Sequence, residues 1–300
     1  MFYNLRKTLS KRLFDLRCRG IFDTPPVTLS PQSKVVVLSQ IYHPDLTMFM
    51  LAAKSFMRYV SPRLLVLVDD GLTEDDRATI RRHFSDVRFI ATAEVRNERC
   101  PKGGCWERFL AITDLVADDY VIQLDADTLT MQAPTEVLEC LRSGRSFTLG
   151  TDTGRETVPL AVAGEFARAT PNDHIQNVAE RALPELPEAE KYRYVRGCAG
   201  FAGYAPGQVD RARVEAFSAL MSGIVGAERW RQWGSEQFTS NFMVANIPDS
   251  VVLPVEQYPF WKPGVDLGQA KLIHFFGTYR FKGGGYARLS RRLIKQLLAR

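Results

Sequence analysis

The sequence has no apolar run of about 18 or more residues, which is near the minimum for a helix that spans a bilayer. Its first twenty residues, MFYNLRKTLSKRLFDLRCRG, also lack the long apolar core of a signal peptide. We therefore expect no transmembrane segment and a cytoplasmic location. Internal repeats and low-complexity tracts are absent too, and 45% hydrophobic content over 300 residues is enough for a large globular core.

Cysteine is scarce and follows no metal-binding pattern. The five cysteines are Cys18, Cys100, Cys105, Cys140 and Cys198. The close pair in CPKGGC has no second pair or nearby histidine that would complete a zinc site. We expect reduced thiols with mostly structural roles.

The body of the chain has no excess of basic residues. Residues 1–20 and residues 286–300 each carry a net charge of +5, and the whole chain carries +5, so the residues between them carry −5. A nucleic-acid groove requires Lys and Arg residues clustered on the body of a domain. We therefore expect no nucleic-acid partner.

Short β-branched runs alternate with helical patterns through the first half of the sequence. The patterns predict strands at residues 34–39, 64–70, 87–91 and 120–124, and helices at 46–60, 73–84 and 106–116. Such alternation is typical of an α/β fold with a mostly parallel central sheet flanked by helices. Ligands of these sheets bind at the carboxyl ends of the strands.

Polar residues follow three of the predicted strands. Ser39 and Gln40 follow the first strand, and Asp70 ends the second, where a turn or a nucleotide contact is equally expected. Asp125 and Asp127 end the strand in YVIQLDADT. Residues i and i+2 of an extended segment project to the same side. Two carboxylates placed in this way repel each other unless a cation lies between them, and a hard divalent ion prefers oxygen ligands.

An Asp-x-Asp alone is more often a turn than a metal site. A second motif, HFFGTYRFK, begins at His274 directly after a strand-like segment and brings Arg280 and Lys282. An imidazole beside two carboxylates suits Mn²⁺ or Mg²⁺, and the two cations suit a diphosphate bound to that metal.

With these two motifs the chain resembles the metal-dependent retaining glycosyltransferases of family 8, which have the GT-A nucleotide-sugar fold. In that family an Asp-x-Asp follows a strand, and a distant His-x-x-Gly-x-x-Lys supplies a third metal ligand and a cation for the leaving group. The resemblance implies that Asp125, Asp127 and His274 are the metal ligands. Arg280 stands where the family has Lys.

Two further motifs extend the resemblance over roughly residues 34–282. Arg108 lies 17 residues before Asp125, at the offset of a family Arg that contacts the sugar nucleotide. The segment from Glu236 and Gln237 to Asn241 matches the family's Asp-Gln-x-x-x-Asn, with Glu in place of Asp. The family's Asn-x-Gly is replaced by CAG at 198–200, and the usual Pro and Trp after the phosphate-binding cation are missing, so we expect a divergent member or a sibling family.

The resemblance implies a hexosyltransferase that moves a sugar from a nucleotide diphosphate donor, expected to be a UDP-sugar, to a glycan or lipid-linked acceptor. Retention of the anomeric configuration is expected. The catalytic candidates are Glu236, Gln237 and Arg280. The candidates for donor binding are Ser39, Gln40, Asp70, Arg108 and Lys282, with Asp152 as a further candidate for the sugar hydroxyls.

Three alternatives stay open. The segment WGSE at 233–236 is similar to the Trp-Gly-x-Glu of some inverting enzymes, in which case Glu236 is the general base. A sugar-nucleotide pyrophosphorylase is disfavoured because SQIYHPDL, after the first strand, lacks a glycine-rich phosphate loop. A non-catalytic nucleotide-binding module is the remaining alternative.

The two basic ends have leucines at helical spacing. These are Leu5, Leu9, Leu13 and Leu16 at one end, and Leu289, Leu293, Ile294 and Leu297 at the other. We divide the chain into a basic segment and linker at 1–33, a glycosyltransferase domain at 34–285 and a basic helix at 286–300. The ends are expected either to dock on the domain or to lie peripherally on the anionic inner face of a membrane.

Overall fold

The computed structural model describes the backbone of residues 2–299 and the side chains of residues 8–299. The side chain of Leu5 and the whole of Arg300 therefore lie outside the described part. The elements of the first half are α1 (Phe2–Cys18), β1 (Val35–Ile41), α2 (Leu46–Phe56), β2 (Leu64–Asp69), α3 (Glu74–His83), β3 (Val87–Ala91), α4 (Thr92–Val95), α5 (Trp106–Leu115), β4 (Tyr120–Leu124), β5 (Thr128–Thr130), α6 (Thr135–Ser143) and β6 (Phe147–Leu149).

The second half continues with shorter strands between helices. Its elements are β7 (Val158–Pro159), α7 (Leu160–Ala169), α8 (Ile175–Ala182), β8 (Arg193–Tyr194), β9 (Cys198–Tyr204), α9 (Arg211–Val225), α10 (Ala227–Trp230), α11 (Ser235–Ala245), β10 (Val251–Leu253), β11 (Leu272–His274) and α12 (Gly285–Leu298).

Seven strands form the central sheet in the order β10-β6-β9-β4-β1-β2-β3. All neighbours are parallel except the two pairs that contain β9. Val36, Val37 and Leu38 of β1 are all fully buried, because helices cover both faces of the sheet. The predicted alternation of strands and helices, with a mostly parallel sheet, is confirmed.

Apolar side chains fill both faces of this sheet. One core contains residues of α1, α2, α6 and α12, and the other contains residues of α5, α8, α9 and α11. Thr73 caps α3, since its hydroxyl accepts a hydrogen bond from the amide of Asp76 at 3.2 Å. All five cysteines have free thiols.

A separate two-stranded ribbon brings distant parts of the chain together. In it β5 pairs with β11 in antiparallel register, and Thr128 lies opposite His274. The loop before β5 contains Asp125 and Asp127, and β11 ends in His274. This ribbon lies at the carboxyl end of β4, where ligands of α/β sheets bind.

The terminal helices pack on each other and on the domain. The ring of Phe14 in α1 lies 4.4 Å from that of Tyr286 in α12, which stacks on Phe275 at 4.0 Å. Leu293, Ile294 and Leu297 of α12 are buried in the core, as the docking alternative predicts. The α1 side differs, because its leucines at 9, 13 and 16 are 66%, 43% and 60% exposed. Within the described residues, none of the helices combines the length and apolarity needed to cross a membrane.

Candidate metal and nucleotide site

Two carboxylates and an imidazole converge at the junction of β4, β5 and β11. One ligand atom each of Asp125, Asp127 and His274 lies within 4.8 Å of the others. His274 Nε2 lies 3.1 Å from Asp127 Oδ1 and 3.8 Å from Asp125 Oδ2. Two carboxylate oxygens and one imidazole nitrogen fit Mn²⁺ or Mg²⁺ chemically, so this group is able to hold such an ion.

Backbone hydrogen bonds fix the acidic loop in place. The amide of Asp125 donates to Gly200 of β9 at 2.8 Å, and the amide and hydroxyl of Thr128 donate to the carbonyl of Asp125 at 3.2 and 2.9 Å. The amide of Phe275 donates to the carbonyl of Asp127 at 2.8 Å. The Asp-x-Asp is therefore a turn as well as a candidate metal site, and the two interpretations are compatible.

Two arginines neutralise the carboxylates. The Arg108 guanidinium donates to Asp125 and, at 3.2 Å, to Glu236, while Arg280 donates to Asp127 and to the carbonyl of Phe275. The side chains of Arg108, Asp127 and Glu236 are at most 9% exposed, and those of Asp125 and Arg280 are each 26% exposed. The charges therefore interact in a poorly solvated place.

Burial and these partners shift the pKa values in opposite directions. Burial raises the pKa of Asp125 against the lowering effect of Arg108. For Asp127 the effect of burial is outweighed by His274 and Arg280, which hold its pKa below the ordinary value. Burial lowers and Asp127 raises the pKa of His274, and the net result lies well above the usual range. Burial also raises the pKa of Glu236, to about 7.

The strand-end residues of β1 and β2 join this group. The side-chain oxygen of Gln40 accepts from the amide of Arg108 at 3.2 Å, and its nitrogen donates to Asp70 at 3.1 Å. Ser39 is 1% exposed, and its hydroxyl donates to the carbonyl of Leu124 in the neighbouring β4. Gln40 and Asp70 thus lie beside Arg108, whereas Ser39 ties two strands together, and its predicted contact with a nucleotide stays untested.

Helix α11 places its first-turn residues on two sides. Glu236 is 3% exposed and contacts Arg108, so it belongs to the charged group. Gln237 is half-buried and donates through Nε2 to Gln176 of α8 at 2.9 Å. Asn241, about one turn after Gln237, donates to the carbonyl of Gly197 at 3.0 Å.

Two sequence candidates lie apart from the charged group. Lys282 is exposed, and its ammonium lies 4.8 Å from the ring centre of Tyr279. Asp152 is exposed as well, and its described partner is Lys262 at 3.7 Å. Neither has a described contact with Asp125, so their roles stay predictions.

Sequence reasoning missed three residues beside the group. Tyr42 follows β1, is 46% exposed and lies within electrostatic range of Arg280 and Asp70. Burial raises the pKa of Asp45, to about 6, with Arg280 opposing it. Gly200 leaves the room for the imidazole, because a Cβ there would lie 2.3 Å from His274 Cε1. The available signal for the first two was their position at the carboxyl end of the first strand.

No protein-family model matches the sequence, and no curated protein matches it either. Solved structures do match. The bifunctional glycosyltransferase WbbM has a TM-score of 0.53 at 12% identity; the match covers 90% of this chain and 52% of that one, so this chain spans about half of WbbM's length.

Two other solved structures match this chain with similar scores. An active-site mutant of LgtC has a TM-score of 0.52 at 12% identity, with 88% of this chain and 96% of that chain covered. The glycosyltransferase GlyE of Streptococcus pneumoniae TIGR4 has a TM-score of 0.51 at 12% identity, with 88% and 63% covered. The GT-A fold is therefore confirmed, and the placement in family 8 stays a prediction.

We predict that Gly200→Ala impairs metal binding, because the added methyl would also lie 2.9 Å from Asp125 Oδ2 and displace two candidate ligands. Mn²⁺ affinity, measured by electron paramagnetic resonance of free Mn²⁺, should fall about tenfold or more, as when ligands lose their orientation. Gly223→Ala is the control, since its added methyl meets nothing within 4 Å. Both variants should be shown to be folded by their melting temperatures. Equal Mn²⁺ affinity in the two would then show that the position of the imidazole does not matter for metal binding.

Proposed function

We propose that the chain is a metal-dependent glycosyltransferase that moves a sugar from a UDP-sugar to a glycan or lipid-linked acceptor with retention. The observation that carries this proposal is the convergence of Asp125, Asp127 and His274 with two arginines at the ligand-binding end of a GT-A sheet. A diphosphate needs cations on several sides as it leaves, and this group offers positions for a divalent ion and for guanidinium groups.

Asp125, Asp127 and His274 would hold the ion, which would supply Lewis-acid neutralisation of the departing diphosphate. Arg280 would add a fixed cation. Its Nε donates to the carbonyl of Phe275 at 2.8 Å, and its side chain is 26% exposed, so it would be accessible to the phosphate oxygens of a bound donor. Arg280 carries a positive charge, as the Lys of family 8 does. The replacement of Lys by Arg would therefore preserve a cation beside the leaving diphosphate.

The sugar would lie on the other side, near α11. Arg108 links Asp125 to Glu236 and would hold both carboxylates in position beside the sugar. Glu236 contacts a guanidinium and is 3% exposed, whereas a general base must reach the acceptor hydroxyl. This supports retention over the inverting alternative, and it makes Gln237 our candidate for the group that faces the reacting carbon.

Titration calorimetry with UDP, in the presence and absence of Mn²⁺, tests the donor site. The wild-type chain should bind UDP more tightly with Mn²⁺, and Asp127→Ala should abolish that difference because one carboxylate ligand is gone. Metal-independent UDP affinity would favour the non-catalytic binding module. Formation of UTP from a UDP-sugar and pyrophosphate would instead identify the pyrophosphorylase.

We predict that Arg280→Ala lowers turnover by on the order of 100-fold or more, since loss of one preorganised donor to a developing anion has that effect. Arg280→Lys should keep much of the activity because the charge remains. The measurement is UDP release from UDP-glucose, UDP-galactose and UDP-N-acetylglucosamine, with exposed Arg142→Ala as control. If Arg280→Ala turns over like Arg142→Ala, Arg280 does not act on the leaving group.

We further propose that the chain associates peripherally with anionic membranes through α1 and α12. A cleft of about 630 Å³ between these helices is lined by five basic side chains, Arg17, Arg288, Arg291, Arg292 and Lys295. Exposed Leu9, Leu13 and Leu16 lie on the adjoining α1. Each surface cation contributes on the order of 1 kcal/mol near an anionic bilayer, and exposed leucines add apolar insertion.

This membrane surface connects to the metal site through aromatic side chains. Phe14 contacts Tyr286, Tyr286 stacks on Phe275, and Phe275 directly follows His274. The helices of this surface therefore pack directly against the segment that carries His274.

We predict that Arg288→Glu, Arg291→Glu and Arg292→Glu together abolish sedimentation with vesicles of phosphatidylglycerol and phosphatidylcholine at low salt, because they reverse the charge of the cleft. The matched control reverses three exposed arginines elsewhere, Arg142, Arg229 and Arg231. Undiminished sedimentation of the first triple variant, or none by the wild-type chain, would contradict the membrane proposal.

A further inference from the structure

A second buried polar group lies beside Gln237, away from the metal ligands. Glu180 of α8 is 2% exposed, and its carboxylate accepts from Arg196 at 2.7 Å and from the Tyr194 hydroxyl at 3.0 Å. It also accepts from Gln176 Nε2 at 3.1 Å. Each of these contacts is made by a donor, so the arrangement suits the ionised carboxylate paired with the Arg196 guanidinium.

These contacts decide which way the Gln176 amide points. Its nitrogen is directed at Glu180 and, at 3.4 Å, at the Tyr194 hydroxyl, because a carboxylate accepts hydrogen bonds and does not donate them. Its oxygen is left as the acceptor for Gln237, whose Nε2 donates to it at 2.9 Å. The orientation of Gln176 therefore imposes an orientation on Gln237.

The Gln237 amide has only one orientation in which it donates a hydrogen bond to the oxygen of Gln176. Its nitrogen must face Gln176, and its oxygen then faces away with no hydrogen-bond partner among the described residues. The preceding residue, Glu236, contacts Arg108 of the charged group, so the first turn of α11 lies between that group and α8. The carbonyl oxygen of the half-buried Gln237 is thus available to a ligand.

We propose that Glu180 is a positioning residue that, through Gln176, presents the carbonyl oxygen of Gln237 to the reacting sugar. The inference rests on the proposed function. When the bond from the anomeric carbon to the diphosphate oxygen breaks, its electron pair leaves with the diphosphate and positive charge develops on the sugar. A carbonyl oxygen stabilises that charge, whereas an amide nitrogen in the same place would oppose it.

The chain of hydrogen bonds also strengthens the stabilisation of the positive charge on the sugar. Each amide that donates towards the buried anion becomes a better acceptor at its own oxygen, because successive hydrogen bonds polarise one another at low dielectric. The negative charge of Glu180 thereby increases the partial negative charge on the carbonyl oxygen of Gln237, which lies two amide groups away. Arg196 pairs with the other carboxylate oxygen of Glu180, and this ion pair favours the ionised form of the carboxylate.

The alternative is that this group merely fastens α8 to the neighbouring β8 and α11. Gln176→Met separates the two roles, since it keeps the side-chain volume and leaves the Glu180–Arg196 pair intact while removing the connection to Gln237. We expect kcat for UDP release from the UDP-sugar that the wild-type chain hydrolyses best to fall on the order of 100-fold, the cost of a misplaced group. KM and Mn²⁺-dependent UDP affinity should stay unchanged.

Three controls accompany this variant. Gln208→Met makes the same change at an exposed position and should be silent. Arg196→Lys retains a cation beside Glu180 and should keep most of kcat, whereas Glu180→Gln removes the anion and should lower kcat. The ¹⁵N–¹H side-chain amide signal of Gln237, identified by its loss in Gln237→Glu, should shift in Gln176→Met and not in Gln208→Met.

The outcomes distinguish the two levels of the proposal. A wild-type chain without Mn²⁺-dependent UDP binding and without UDP release would overturn the proposed function, and the role of Glu180 with it. An active wild-type chain with equal kcat in Gln176→Met and Gln208→Met would overturn the positioning role alone. So would a parallel loss of kcat and melting temperature in Gln176→Met, because that is the result of a purely structural contact.

Discussion

The antiparallel pairing of β5 with β11 is the contact on which the candidate site depends. It joins His274 to Asp127 across 147 residues of sequence and sets the imidazole beside both carboxylates. The parallel sheet by itself would supply only Asp125 and Asp127, and an Asp-x-Asp without a third ligand is a common turn. Register matters as much as pairing, because a shift by one residue would turn His274 to the opposite face of the ribbon. Gly200 on β9 completes the arrangement by leaving space for the ring.

Charge balance is the second constraint on this site. Burying a carboxylate is costly unless it is paired, and here Arg108, Arg280 and the imidazole surround the acidic side chains. Of these groups, Arg280 is the one that we propose to contact the diphosphate, while the imidazole and the carboxylates of Asp125 and Asp127 would hold the ion. A bound ion would compensate the charge of Asp127, which would leave the Arg280 guanidinium able to contact a phosphate. Such an arrangement would let one small group of residues remain stable when empty and still bind an anion.

Much of the fold was predictable from sequence because its determinants are local. The β-branched runs of β1, β2 and β4 and the Thr73 cap indicate the α/β pattern without knowledge of contacts. The antiparallel β9 was not predictable in this way, since its place between β4 and β6 depends on pairing over long distances. Helical spacing of leucines could not distinguish the buried side of α12 from the exposed leucines of α1, because both have the same period. The contact of Gln237 with Gln176 was equally hidden, as no local signal links two glutamines on different helices.

X-ray diffraction from crystals soaked with Mn²⁺ and UDP, recorded near the manganese absorption edge, tests the central claim most directly. The account predicts one anomalous peak at about 2.0–2.4 Å from an oxygen of Asp125, an oxygen of Asp127 and a nitrogen of His274, the usual range for such ligands. Phosphate oxygens of UDP should complete its coordination, with Arg280 beside them. UDP bound elsewhere, or bound at this place with no ion between it and the two carboxylates, would contradict the account.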